Sequence, residues 1–204
     1  MPDYEPLDLT PYCNAGTDLL TGVCNPATGL RDYRGLPFLI GQDDKQCFIF
    51  FDKGASPITV NVGNTANQVL FAHRLLESNL DNTGPVGLLV ADYVFKIRDQ
   101  DEVIVPVRER FEISTVPMDS FNRDIGPSGL PFIAVTDNGH QLMPREVSRW
   151  IEHPENPGYG WKQTEAIQGS ATNYVLWTWK NLWPDQIVEY IKILPRGPRF
   201  LIAG

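Results

Sequence analysis

Apolar and polar residues alternate with a period of two along most of the chain, the repeat of strands that bury one face. Runs rich in Val, Ile, Phe and Tyr are broken by 17 Gly and 17 Pro, the punctuation of many strands joined by turns. The pattern predicts strands over 36–41, 46–51, 57–62, 68–76, 87–98, 102–115, 131–136, 173–180, 186–194 and 199–203. A short helix is predicted only over 144–152, where Pro144 suits the first turn and Val147, Trp150 and Ile151 share a face. So many strands with so little helix imply an all-β fold, a two-sheet antiparallel β-sandwich. The Gly/Pro-rich stretches 117–129 and 153–169 read as long loops at one end of the sandwich or flaps over a face.

Composition narrows this picture. With 204 residues, 42% of them hydrophobic and 21% charged, the chain can bury a core of its own, so a single β-sandwich domain over 1–204 is expected. A net charge of -8, with no local Lys/Arg run against it, repels phosphate backbones and argues against nucleic acid as a partner. No apolar run approaches the roughly 18 to 20 residues that cross a bilayer, which argues against a membrane. The acidic opening lacks the order of a signal peptide, so the cytoplasm is the default compartment, and a periplasm is also consistent. Cys13, Cys24 and Cys47 match no metal knuckle and read as thiols, with a Cys13 to Cys24 bridge as the alternative. The strand-like end at Phe200 to Ala203 leads to the expectation that these residues are the N-terminal part of a longer protein.

The clearest local structure is a hairpin over 87–113 around Asp99, Gln100 and Asp101. Centred on Gln100, it sets Arg98 opposite Glu102, Asp92 opposite Arg108 and Val90 opposite Arg110. Leu89, Ala91, Tyr93, Phe95 and Ile97 then share the core face with Val105, Val107, Phe111 and Ile113. Asp92, Lys96, Arg98, Arg108, Arg110 and Glu112 take the other face. Two readings fit it. One is a solvated sheet surface whose ion pairs each contribute about 0.2 to 1 kcal/mol. The other is a ligand-binding patch in which Asp92, Arg108, Arg110 and Glu112 offer fork donors and carboxylate acceptors to a hydroxyl-rich or carboxylate-bearing ligand. Glu109 breaks the alternation, so it reaches the sheet margin or is buried against an arginine.

In 68–76, Val69, Phe71 and Leu75 lie on one side and Leu70, Ala72 and Leu76 on the other, the pattern of a central strand covered on both faces. His73 within it reads first as a hydrogen-bonded core residue and second as a ligand or base. Trp177 and Trp179 share a parity and are expected in the core, whereas Trp183, in a turn, and Trp161, in a loop, are candidate platforms for sugar rings.

Several segments together resemble a known group. Residues 35–41 (GLPFLIG), 58–78 (ITVNVGNTANQVLFAHRLLES), 86–113 (VGLLVADYVFKIRDQDEVIVPVRERFEI) and 173–194 (NYVLWTWKNLWPDQIVEYIKIL) look like the galactose-binding-like β-sandwich (jelly-roll) accessory domains of bacterial carbohydrate-active enzymes. Tyr93, the Asp99 turn and the run from Arg108 to Glu112 occupy the places of the family's middle segment, and Trp179, Asn181, Pro184 and Ile187 those of its later one. Gln100 stands where the family's turn glycine is usual, and Leu182 where a proline is. The resemblance implies a jelly roll in a sugar-related context, in a group containing both ligand binders and structural spacers.

The function this favours is a noncatalytic carbohydrate-associated module that binds a glycan or docks against a following catalytic domain. One alternative is a glycoside hydrolase or lyase using paired carboxylates, drawn from Asp92, Glu77, Glu109 and Glu112. Another is a structural assembly module whose charged patch is a subunit contact. No cofactor is called for, and calcium is conceivable at a loop through Asp18, Asp43 and Asp44, although their spacing is not diagnostic.

Overall fold

A computed structural model describes residues 4–20, 28–33, 36–78, 87–109, 111–113, 115, 163–164 and 174–204. The strand expected over 131–136, the helix over 144–152, the loop 117–129 and all but two residues of the loop 153–169 lie outside them. The strands are β1 (Gly29–Tyr33), β2 (Leu36–Ile40), β3 (Ile49–Phe51), β4 (Ile58–Thr65), β5 (Gln68–Leu75), β6 (Leu89–Ile97), β7 (Val103–Arg108), β8 (Gln163–Thr164), β9 (Val175–Lys180), β10 (Ile187–Pro195) and β11 (Phe200–Ile202).

Two antiparallel sheets form a sandwich. One has four strands in the order β4-β10-β6-β7, the other five in the order β3-β11-β5-β9-β8. Aromatic side chains fill the space between them. Phe71, Trp177 and Trp179 from the five-stranded sheet meet Tyr93 and Phe95 from the four-stranded one, with Trp179 stacked on Phe95 at 3.8 Å between centroids. Such pairs add about 0.5 to 1.5 kcal/mol beyond the area they bury.

The two-sided pattern of β5 has a structural cause. Phe71 and Leu75 enter the core between the sheets, whereas Ala72 joins a second apolar cluster on the opposite face. That cluster is closed by Leu36, Phe38 and Ile40 of β2, which pairs with β1 as a separate two-stranded sheet. β2 is therefore part of a third layer over the five-stranded sheet. Its partner β1 was not expected, because Arg31 and Asp32 leave it only one buried residue, Tyr33.

The β6–β7 hairpin differs in register from the expectation. Phe95 pairs with Val103 and Asp92 with Pro106, so the turn centres on Asp99 rather than Gln100. Asp99 adopts φ +59°, a left-handed conformation that Asp tolerates better than most residues, and Gln100 N donates to Ile97 O at 3.1 Å. The displacement is two residues, an even number. The faces survive it: Tyr93, Phe95, Ile97 and Val107 all enter the core.

Beyond Val107 the alternation fails. β7 ends at Arg108, and the amides of Phe111, Glu112 and Ile113 all donate to Arg108 O. The expected strand over 102–115 thus gives way to a turn. Phe111 leaves the core face and lies beneath the Arg108 guanidinium, 4.7 Å from its ring centre. The expected opposition of these two side chains is therefore overturned, as is the pairing of Arg108 with Asp92; Arg108 sits opposite Leu89 across a bulge. Glu112 supplies the reason, since the turn lets its carboxylate reach back to the Arg108 amide and guanidinium.

At the other edge of this sheet, β4 carries an extra residue between Asn61 and Asn64 against β10. Gly63 takes it up at φ +76°, a conformation most side chains resist. The bulge redirects Asn64 and Thr65 at the start of the β4–β5 turn.

Candidate functional site

Among the described residues, Asp92 and the Arg108–Glu112 pair are engaged with different partners. Asp92 lies on the outer face of β6 and is 7% exposed, because Arg196 covers it: Arg196 Nε donates to Asp92 Oδ2 at 2.7 Å. Arg108 and Glu112 do come together. Glu112 Oε2 accepts from Arg108 N at 2.8 Å and Nε at 3.2 Å, and Oε1 accepts from Nη2 at 2.9 Å. Glu112 is 3% exposed, so this side-on fork is a nearly sealed ion pair. Glu109 is buried beside it. Arg110 and Trp161 lie outside the described residues.

His73 has a role of its own in this region. Fully buried, it places Nε2 2.8 Å from Glu112 O and Nδ1 2.9 Å from Tyr93 Oη. A carbonyl only accepts, so Nε2 carries the proton, and a neutral ring then accepts from the Tyr93 hydroxyl. This histidine pins β5 to β6 and to the turn after β7. Burial pushes the Tyr93 phenol well above its ordinary pKa, which keeps it a donor.

Trp183 is half-exposed on the β9–β10 connection and packs its indole against the inter-sheet core. Its position is set by the buried Asn181. Asn181 Nδ2 donates to Ala66 O and Trp183 O, both at 3.0 Å, and Oδ1 accepts from Trp183 N at 2.9 Å. Asn181 N also donates to Asn67 O at 2.9 Å. Two of these bonds tie the tryptophan turn to the β4–β5 turn, and the other two hold the tryptophan turn itself.

The β4–β5 turn borders a cleft of about 580 Å³. Val60, Phe71, Ile191 and Ile202 line its apolar part, Leu7 and Leu9 flank it, and Asn64, Thr65, Asn67 and Gln68 supply polar groups. The combination of apolar walls with a few polar groups is that of a small-molecule site. Sequence reasoning missed it. The available signal was the amide-rich turn from Gly63 to Gln68, where three side-chain amides fall within five residues.

Of the residues considered for calcium, Asp43 Oδ1 accepts from Lys45 N at 2.8 Å and Asp44 Oδ1 from Thr28 Oγ1 at 3.4 Å, as turn acceptors do. Among the described residues, no three His, Cys, Asp or Glu side chains converge to hold a metal ion. Cys13 and Cys47 are free thiols. Burial pushes Cys47 up to about 12 and Cys13 to about 11, each helped by nearby acidic groups. Native Cys47 is therefore expected to react with a disulfide reagent at pH 8 on the order of a thousandfold more slowly than in urea. Equal rates in the two states would contradict the sealed placement.

No family model, curated protein or solved structure matches this chain. The sandwich itself stands on its sheets and core.

Proposed function

We propose that this chain is a noncatalytic carbohydrate-associated module that holds a sugar unit in the cleft beside the β4–β5 turn. The observation that carries this reading is the cleft's lining, an apolar wall bordered by the amides of Asn64, Asn67 and Gln68. Side-chain amides present a donor and an acceptor together and so suit vicinal hydroxyls, while apolar walls suit the C–H face of a pyranose. The jelly-roll likeness of the sequence fragments points the same way.

The carboxylates favour binding over hydrolysis. Glu112 holds Arg108, Asp92 holds Arg196, and Glu77 lies 3.2 Å from Lys53 Nζ. Acids engaged with cations in this way suit structural roles better than proton transfer to a glycosidic oxygen.

Calorimetric titration with a panel of neutral monosaccharides is expected to give millimolar binding of at least one. Asn64→Ala and Asn67→Ala should each weaken it about tenfold, equivalent to ~1.4 kcal/mol, without changing Tm by more than a few degrees. Heats indistinguishable from dilution for every sugar at saturating concentration would remove the proposal.

A further inference from the structure

Arg74 lies on β5, on the face turned away from the inter-sheet core, at the same parity as Ala72. Its Nε and Nη1 are buried and meet no hydrogen-bond partner among the described residues. The Tyr174 hydroxyl is in the same condition. The two belong together: they are the next residues beyond His73↔Val175, the last pair of the β5–β9 ladder, and each acts on the other electrostatically. Burial lowers the Arg74 pKa and raises that of Tyr174, both responses of groups short of solvent or countercharge.

Four other described arginines each meet a carboxylate. Arg108 has Glu112, Arg196 has Asp92, Arg98 has Glu189 and Arg199 has Asp52. Among the described residues, Tyr174 is the titratable group that acts on the Arg74 guanidinium, and a neutral phenol cannot balance a full positive charge. An uncompensated buried cation is costly, and a bound anion removes that cost. Arg74 as a residue is only part-buried, so it can still be reached from outside.

We propose that Arg74, with the Tyr174 hydroxyl, anchors an anion-binding site on the outer face of the five-stranded sheet. Its ligand is a compact oxyanion, the carboxylate or phosphate group of a small molecule. Donors facing in more than one direction, together with a phenolic hydroxyl, match an acceptor with several oxygen atoms. This site lies outside the sugar cleft's lining and stands whether or not a sugar binds there.

The test is thermal unfolding of the full chain in sodium chloride, acetate and phosphate at equal ionic strength. Acetate or phosphate should raise Tm by about 2 to 4 °C over chloride at tens of millimolar, and whichever acts identifies the group recognised. Arg74→Met should abolish the response and, by removing an unpaired charge, leave Tm in chloride unchanged or higher. Tyr174→Phe should keep the fold and weaken the response. Equal Tm values in all three salts, or an undiminished response in Arg74→Met, would overturn the site. Should Arg74→Met not fold, the wild-type Arg74 Nε–H resonance decides: a shift on phosphate or acetate titration supports the site, and no shift with either refutes it.

Discussion

Arg108→Met is expected to destabilise the protein by about 3 to 5 kcal/mol, the range for removing one partner of a buried ion pair. Its Tm should fall by roughly 6 to 20 °C. The magnitude comes from what is left behind. Glu112 is 3% exposed, and its carboxylate would keep only the Arg108 backbone amide of the three donors it now has. Phe111 would lose the cation above its ring as well. The double variant Arg108→Met/Glu112→Leu separates the stranded charge from the lost packing. It should recover most of the deficit, because removing both charges of a buried pair is often close to neutral. Chemical denaturation of the single and double variants measures this, and a single variant within about 0.5 kcal/mol of wild type would mean that water reaches Glu112.

Much of this fold is legible in the sequence, for a definite reason. The parity of apolar residues in β5, β6 and β9 dictates which face meets which layer, and parity is insensitive to small errors of register. Tyr93 and Phe95 are therefore placed correctly although the turn centres on Asp99 and not Gln100. The same rule gives misleading guidance after Val107. Parity assigns Phe111 to the core, but a strand there would leave the Glu112 carboxylate without the partners that a turn supplies. Local satisfaction of a charged group prevails over a periodic pattern that has only Phe111 and Ile113 left to bury. The candidate cleft was less legible still. It is made by tertiary proximity of the β4–β5 turn, the N-terminal segment and β10, and no single stretch of chain carries its pattern. Arg74 follows the same logic: it sits in an apolar run, and only the folded packing shows that its Nε and Nη1 are buried with no hydrogen-bond partner among the described residues.

His73→Phe carries the second large effect, about 2 to 6 kcal/mol, and it tests whether one residue joins three parts of the sandwich. Phenylalanine keeps the stacking surface against Trp177 and Phe71 but offers neither ring nitrogen. Tyr93 Oη and Glu112 O would then both be buried without their present partner, at about 1 to 3 kcal/mol each. Tyr93→Phe removes one of these bonds from its other end and should cost less, because Glu112 O keeps its donor. Combining the two substitutions should cost less than the sum of the singles, since both delete the same hydrogen bond. Coupling to Arg108→Met should also be non-additive, because His73 grips the main chain of Glu112 while Arg108 grips its side chain. If the turn after β7 depends on both holds, releasing either loosens what the other retains. Strict additivity of His73→Phe with Arg108→Met in denaturant unfolding would show instead that the two anchors act independently, and the turn would then be held by its backbone bonds to Arg108 O.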